Sequence, residues 1–376
     1  MKNYKIITLG PSGAGKTVFL ASLFKKLAAN QEGAFLKTFD DQQRIKLNQI
    51  YAKIIDPDQN WPSGTRDITQ ITFTCYVKNL DLNPQNFQVC DLTYIDYSGG
   101  LITDKSDEED VFDFQENVPN ADAVLAIIDG LKLLKLMQGE NLNNETITKF
   151  LHIDLTNMMQ LINQYQTDKP VNFIISKWDL LEGRYNLSQI RERLLEKVPE
   201  FENVVNFRVS AGCPVRLIPV SSIGMDFATL EPDGSMTKTG AIPKPLYLEI
   251  PIAYLLIDKV GDREKAHNHL VVSFKKHLKD FEKKFPEANL AKIPTPICLI
   301  LTQAILLILV CSLVFQGWSI LCLPFGIVAI VYAAKAKAPL KLGSKLGRKQ
   351  ASKNAKKWFL FGFIPAAIIA MIIRFS

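Results

Sequence analysis

A chain of 376 residues exceeds the roughly 100–250 residues of a single α/β domain, so two parts are expected. Much of the net charge of +6 falls within 335–357, where nine basic residues (Lys335, Lys337, Lys341, Lys345, Arg348, Lys349, Lys353, Lys356 and Lys357) occur without an acid. Such basicity beside apolar runs points to a membrane surface and against nucleic acid. The six cysteines, Cys75, Cys90, Cys213, Cys298, Cys311 and Cys322, show neither CxxC spacing nor ligand-like clustering and read as reduced thiols.

In chain order, Met1 to Lys5 precedes only a short apolar stretch, Ile6 to Leu9, too brief for the apolar core of a signal peptide. The N-terminal part is therefore expected in the cytosol. Lys5 to Leu9 reads as a buried strand, followed by a glycine-rich turn and a helix over Thr17 to Ala28 with Phe19, Leu20, Leu23 and Leu27 at near-helical spacing. Ile71 to Leu80 and Phe87 to Ile95 are rich in β-branched and aromatic residues and flank the turn-like Asp81 to Asn86, which predicts a hairpin. Short apolar strands follow at Ala123 to Ile128, Val171 to Ile175 and Val215 to Val220, separated by helical stretches such as Thr146 to Gln166 and Leu187 to Lys197. That alternation predicts a mostly parallel sheet covered on both faces by helices. Tyr254 to Val260 is expected to begin the last helix of this domain. Asp262 to Lys284 then reads as an amphipathic helix, with Leu270, Val271, Phe274, Leu278 and Phe281 on one stripe, leading to the membrane.

The turn after the first strand, Gly10-Pro-Ser-Gly-Ala-Gly-Lys-Thr17, satisfies GxxxxGK[ST] between a predicted strand and a predicted helix, the context that this phosphate-binding motif requires. Glycines let the backbone curl so that N–H groups face phosphate oxygens, with the helix N-terminus adding a favourable field. The nucleotide-binding stretch is thus expected to comprise Gly10, Pro11, Ser12, Gly13, Ala14, Gly15, Lys16, Thr17 and Val18. Lys16 is the cation for the β- and γ-phosphates, and Thr17 is a ligand for Mg²⁺.

The strand over Phe87 to Ile95 ends in Asp96-Tyr-Ser-Gly99, a DxxG sequence. There the Asp96 carboxylate can hold Mg²⁺ through water and the Gly99 N–H can sense a γ-phosphate. Val171 to Ile175 ends in Ser176-Lys-Trp-Asp179, which resembles the guanine-recognition sequence [NT]KxD with serine in its first position. Asp179 is placed to accept hydrogen bonds from guanine N1–H and the exocyclic amine, a pair that adenine lacks, and Lys177 to pack along the base. The last strand runs into Pro219-Val-Ser-Ser-Ile-Gly224, similar to the loop whose backbone contacts guanine O6, with Ser221, Ser222 and Ile223 as candidates. Thr65 is the best candidate for the Mg²⁺-ligating threonine of the first switch, with Thr69 and Thr72 as alternatives, in a stretch from Gln31 to Ser63 longer than in a minimal small GTPase.

These four segments, in this order, resemble the Ras-like (TRAFAC-class) GTPases over about Lys5 to Val260. The sequences Trp61-Pro-Ser-Gly-Thr65, Asp96-Tyr-Ser-Gly-Gly100 and Ser176-Lys-Trp-Asp179 resemble in particular the divergent, double-GTPase-like bacterial proteins of mobile or defence-associated gene clusters. The resemblance implies a three-layer P-loop α/β sandwich that binds GTP and GDP with Mg²⁺ and hydrolyses GTP, with Lys16, Thr65 and Gly99 as its catalytic set. Family members that orient water with a glutamine carry it just after the DxxG glycine. Here that position is Gly100, so intrinsic hydrolysis is expected to be slow or stimulated by a partner.

Pro296 to Phe315 carries no charge and is long enough for a helix that crosses a hydrocarbon core of roughly 30 Å. Trp318 to Ala334 is apolar but short and contains Pro324, and Trp358 to Ile373 forms a third apolar segment. The basic loop over 335–357 and the nucleotide domain should share the cytosolic side. From Trp318 onward, this arrangement is similar to the interferon-induced transmembrane (dispanin) domain. The expected organisation is a GTPase domain over 1–260, an amphipathic linker over 261–293, and a C-terminal α-helical transmembrane region over 294–376 with two or three spans. The expected function is a multi-pass, inner-membrane GTPase switch meeting a protein effector or activator at the lipid bilayer, with homodimerisation left open. The rival readings are a GTP-bound scaffold that does not hydrolyse and a P-loop ATPase.

Overall fold

In the computed structural model the described residues are 3–28, 34–64, 69–78, 86–102, 108–139, 145–165, 169–260 and 265–292. The chain divides into two units, Met1–Lys292 and Ile293–Ser376. The apolar segments 296–315, 318–334 and 358–373 and the basic loop 335–357 lie outside the described residues. Among the described residues no helix is long and apolar enough to cross a membrane.

The strands are β1 (Asn3–Leu9), β2 (Ala34–Thr38), β3 (Thr69–Lys78), β4 (Asn86–Asp96), β5 (Ala123–Ile128), β6 (Val171–Ile175) and β7 (Val215–Pro219), in one sheet of order β2-β3-β4-β1-β5-β6-β7. Pairings β4-β1, β1-β5, β5-β6 and β6-β7 are parallel, while β2-β3 and β3-β4 are antiparallel. Every residue of β5, β6 and β7 is buried, as expected for parallel strands covered on both faces. The sheet is therefore mixed but mostly parallel. Asp81 to Gln85, the expected turn between β3 and β4, lies outside the described residues, and the two strands pair from Thr69↔Asp96 to Lys78↔Asn86 with a bulge at Cys75/Tyr76.

The helices are α1 (Lys16–Ala28), α2 (Asp41–Ile55), α3 (Glu108–Asn117), α4 (Gly130–Met137), α5 (Glu145–Lys149), α6 (Thr156–Tyr165), α7 (Leu187–Lys197), α8 (Pro199–Ser210), α9 (Ile250–Val260) and α10 (Lys265–Lys284). Two elements, β2 and α2, occupy the stretch read from sequence as a long first switch. Asp40 caps α2 by accepting from Gln43 N–H at 2.7 Å. The helical stretch expected over Thr146 to Gln166 is α5 and α6 joined by a π-helical turn, Phe150–Leu155, where Lys132 donates to the buried Asp154 at 2.7 Å. A small antiparallel pair, β8 (Ala228–Leu230) and β9 (Met236–Lys238), lies between β7 and α9.

Beyond β7 the chain is fastened back onto the sheet. Buried Asn172 of β6 donates to Pro251 O at 3.0 Å, and Arg216 of β7 pairs with Asp258 of α9 through two bonds of 2.6 and 2.9 Å. The Arg216 guanidinium also lies 4.1 Å above the Tyr254 ring, whose hydroxyl donates to Glu282 of α10 at 2.9 Å. Burial and the Glu282 carboxylate together push the Tyr254 phenol well above its ordinary value. Phe274, Leu278 and Phe281 of α10 are buried, in keeping with the amphipathic stripe.

Candidate functional site

Parallel strands end on a common side, so the loops after β1, β4, β5, β6 and β7 meet at one edge of the sheet, where α/β proteins bind ligands. Register puts Thr8 beside Asp96, Leu9 beside Ala126, and Ile175 beside both Ile128 and Pro219. The loops that carry the sequence motifs are thereby brought together.

The phosphate loop leaves β1 at Gly10 and enters α1 at Lys16. Gly13 and Gly15 hold φ of +78° and +91°, left-handed values that side chains disfavour and that turn the backbone inward. Pro11 and Ala14 are buried, Ser12 and Gly13 are exposed, and Thr17 and Val18 are half-buried in the first turn of α1. The Lys16 ammonium folds back along the loop and donates to Gly10 O at 2.6 Å. Burial lowers its pKa, and the Asp96 carboxylate partly offsets the effect.

Asp96 closes β4 and is 2 % exposed. Three residues on, Gly99 opens a short 3-10 turn, Gly99–Ile102, and its backbone packs directly on the phosphate loop. A methyl group at Gly99 would lie 2.3 Å from Ser12 N and 2.7 Å from Ser12 Cα, so only glycine fits. The far end of that turn is held by Asn157 of α6, which donates to Ile102 O at 2.8 Å. Gly100, half-buried, follows with no side chain to place.

Thr65 lies outside the described residues. Of the alternatives, Thr69 begins β3 as the partner of Asp96, whereas Thr72 sits deeper in the sheet opposite Thr93, with the two hydroxyls 3.4 Å apart. The structure brings Thr69 to the motif-bearing edge and leaves Thr72 within the sheet.

On the other side of the phosphate loop, Ser176 is anchored to β5 by its N–H and hydroxyl, both donating to Ile128 O at 3.0 and 3.2 Å. Lys177 adopts φ of +50°, a conformation that costs a non-glycine residue on the order of 1 kcal/mol. Its ammonium donates to both oxygens of Asp129, at 2.9 and 3.1 Å, and to Gly13 O of the phosphate loop at 3.0 Å. Asp129, buried at the end of β5, also caps α4 through Leu131 N–H at 2.9 Å. The sequence reading missed it, although an acid followed by glycine straight after an all-apolar strand is a visible signal.

Asp179 is half-buried, and burial raises its carboxyl above the ordinary carboxylate value; the Ser221 hydroxyl, which donates to Oδ1, and the Lys177 ammonium pull it part of the way back. Ser221 in turn accepts from Gly224 N–H at 2.8 Å. Ser221, expected from sequence on the loop that offers its backbone to guanine O6, thus uses its hydroxyl to orient Asp179. Ser222 beside it is half-buried, while Ile223 is buried among Ala21, Ile54 and Phe227 and presents no side chain to the edge. Trp178, between Lys177 and Asp179, is buried against Phe285, with ring centroids 5.9 Å apart.

No curated protein matches the chain. Among solved structures it is similar to the Saccharomyces cerevisiae Ski7 GTPase-like domain bound to GDP and inorganic phosphate, at 16 % identity and a TM-score of 0.36, over 70 % of this chain and 51 % of that one. It is also similar to the bacterial selenocysteine-specific elongation factor EF-Sec, at 13 % identity and a TM-score of 0.28, over 59 % of this chain and 26 % of that one. The chain thus spans about half or less of the length of these structures. Residues 301–373 match the profile of the interferon-induced transmembrane protein family. Residues 6–221, more than half of the chain, match the Double-GTPase 2 profile, and the chain belongs to that family.

Proposed function

We propose that the protein is a membrane-anchored guanine-nucleotide switch that hydrolyses GTP slowly or with the help of a partner. One observation carries this reading: Asp179, oriented by Ser221, stands on a loop that Lys177 ties directly to the phosphate loop and to Asp129. A base-reading carboxylate and a phosphate cradle are thereby linked by a single side chain. An ionised carboxylate there accepts from both guanine donors, and adenine, which lacks them, would leave it buried and unpaired.

The chemistry asked of the remaining residues is electrostatic. The Lys16 ammonium, now donating to the carbonyl of its own loop, would turn to phosphate oxygens, and the first-turn N–H groups of α1 would add their field. Gly99 would offer its N–H to the γ-phosphate from a backbone already seated on Ser12. The Thr17 hydroxyl and Asp96 carboxylate are hard oxygen donors suited to Mg²⁺, which when bound supplies charge neutralisation at the phosphates. With Gly100 in place of a water-orienting side chain, the chain itself supplies little beyond this, and stimulation by a partner follows. The same residue favours a second reading, a GTP-bound scaffold that does not hydrolyse, which single-turnover assays with and without lipid would separate.

Anchoring is assigned to the C-terminal unit, supported by its match to a transmembrane family and by three uncharged runs. In competition binding GTP should outcompete ATP, and Asp179→Ala should erase that preference while leaving phosphate-dependent binding in place. Equal competition by ATP in the unaltered protein would refute the guanine reading. Retention in the membrane pellet through carbonate tests the anchor, and release by salt alone would refute it.

A further inference from the structure

The hairpin of β8 and β9 belongs to none of the nucleotide motifs, yet it joins the base loop to the segment that approaches the phosphate loop. The Lys238 ammonium donates to three backbone carbonyls where α2 ends, Lys53 O at 2.6 Å, Asp56 O at 2.8 Å and Gln59 O at 2.7 Å. Lys53 lies in the last turn of α2, Asp56 is its C-cap and Gln59 belongs to the turn that follows, so the ammonium sits in the field of the negative helix terminus. The same ammonium lies 5.1 Å from the Trp61 ring centroid, and Trp61 Nε1 donates back to Met236 O of the hairpin at 2.7 Å. Under this contact, Ile223 of the base loop packs with Ala21 of α1, Ile54 of α2 and Phe227, with Trp61 against the cluster. Three residues beyond Trp61 the segment reaches the phosphate loop, where a methyl group at Gly64 would lie 3.2 Å from Ser12 Oγ.

Residues 59–64 therefore form a strap with one end clamped by the hairpin and the other resting on Ser12. We propose that Lys238 and Trp61 are positioning residues that hold this strap against the phosphate loop and set how slowly a bound nucleoside diphosphate leaves. The inference rests on the guanine-nucleotide reading of the site. Phosphates seated in the loop would leave past Ser12, so release waits on local opening of the strap. One ammonium bridges residues 53, 56 and 59, and its removal loses all three of these bonds together.

The test is the release of a fluorescent GDP analogue from the full-length protein in detergent, chased with excess GDP. Lys238→Met keeps the apolar stem and removes the ammonium, and should raise the dissociation rate at least about tenfold, the equivalent of one charged hydrogen bond. Association rate and preference for guanine over adenine should be unchanged. Lys238→Arg, a cation of different shape, should fall between the two. Wild-type release from a Lys238→Met protein with an unchanged melting curve would overturn the proposal, as would weaker binding that arises from slower association. Should Lys238→Met fail to fold, Trp61→Phe, which keeps a ring and loses the bond to Met236, is expected to speed release by about threefold, and wild-type release there overturns the proposal equally. Unaltered protein that takes up no GDP analogue would refute the reading of the site itself, and this inference with it.

Discussion

At the proposed base-reading end of the site, Asp179 follows β6, a strand whose every residue is buried; Ser221, just after the equally buried β7, donates to it, and Lys177 beside it pairs with Asp129. At the opposite, proposed switch end, Asp96 closes β4 between antiparallel β3 and parallel β1, and the segments on either side are held from elsewhere in the fold, Ile102 by Asn157 and the stretch around Trp61 by Lys238 and Met236 of the β8–β9 hairpin. The two ends differ in where their restraints come from: the neighbouring motif loops at one, parts of the fold outside those loops at the other. On the proposed reading, a base pocket braced by its own neighbours presents one geometry to any guanine nucleotide. On the same reading, segments restrained from outside the motif loops are the ones that a γ-phosphate would shift through its differential interaction.

Substitutions that act on one end and spare the other test this contrast. The largest effect is expected from Gly99→Ala, whose methyl group meets backbone atoms of Ser12 rather than a movable side chain. The turn must shift by about an ångström, a displacement that costs on the order of 100-fold in a positioned reaction. Single-turnover GTP hydrolysis should fall by that factor while GDP affinity changes little. A parallel loss of GDP affinity would mean that the two ends are not separable.

Lys177→Met breaks the other end. It removes charge-assisted bonds to Asp129 and Gly13 at once, and calorimetric titration should show GDP and GTP weakened equally, by roughly 10- to 100-fold. A selective loss of GTP would place Lys177 at the switch end instead.

A smaller effect follows from pH. Burial raises the Asp179 carboxyl, and the proposed recognition of guanine requires it ionised. Affinity for GDP should therefore fall as pH drops through that raised pKa, earlier on acidification than for an ordinary aspartate of about 3.9. For stability the sign is opposite: a raised carboxyl pKa means that the ionised form is disfavoured by folding, so Asp179 costs stability above its pKa and that cost disappears below it. Asp179→Asn should abolish the pH dependence of GDP binding and leave the melting temperature unchanged or slightly higher. Persistence of the same pH profile in that variant would assign the titration to another group.

Much of this contrast could be read from the residues, and the part that could not is informative. The motif loops and β1, β5, β6 and β7 were legible because each is written in a few consecutive residues: a buried apolar run, then glycine, serine or an acid where the chain turns. The stretch before Thr65 was read only as a long switch. Of the residues in α2, only Leu47 and Ile54 are buried, so its apolar periodicity is faint, and β2 is a short strand at the end of the sheet order. Nothing local marks Lys238 as the cap of a helix that ends more than 180 residues earlier. Asp129 is a different case, since the pattern was present but its partner, Lys177, is recruited through the fold. Local chemistry writes the ligand-facing loops, and long-range contacts write what restrains them.

One feature at the far side of the sheet bears on how the protein behaves as a solute. The terminal strand β7 is covered by the chain after α10: Asn289 bridges to Arg216 in antiparallel fashion, and Ala288 and Leu290 are buried beside it. An uncovered strand edge is a template for pairing with another copy, and natural proteins screen such edges. These few residues after Phe285 therefore act as a gatekeeper against self-association. Cleavage just before Ala288 would leave all the nucleotide motifs intact yet free an adhesive edge, whereas cleavage after Lys292 would release a nucleotide domain with that edge still sealed.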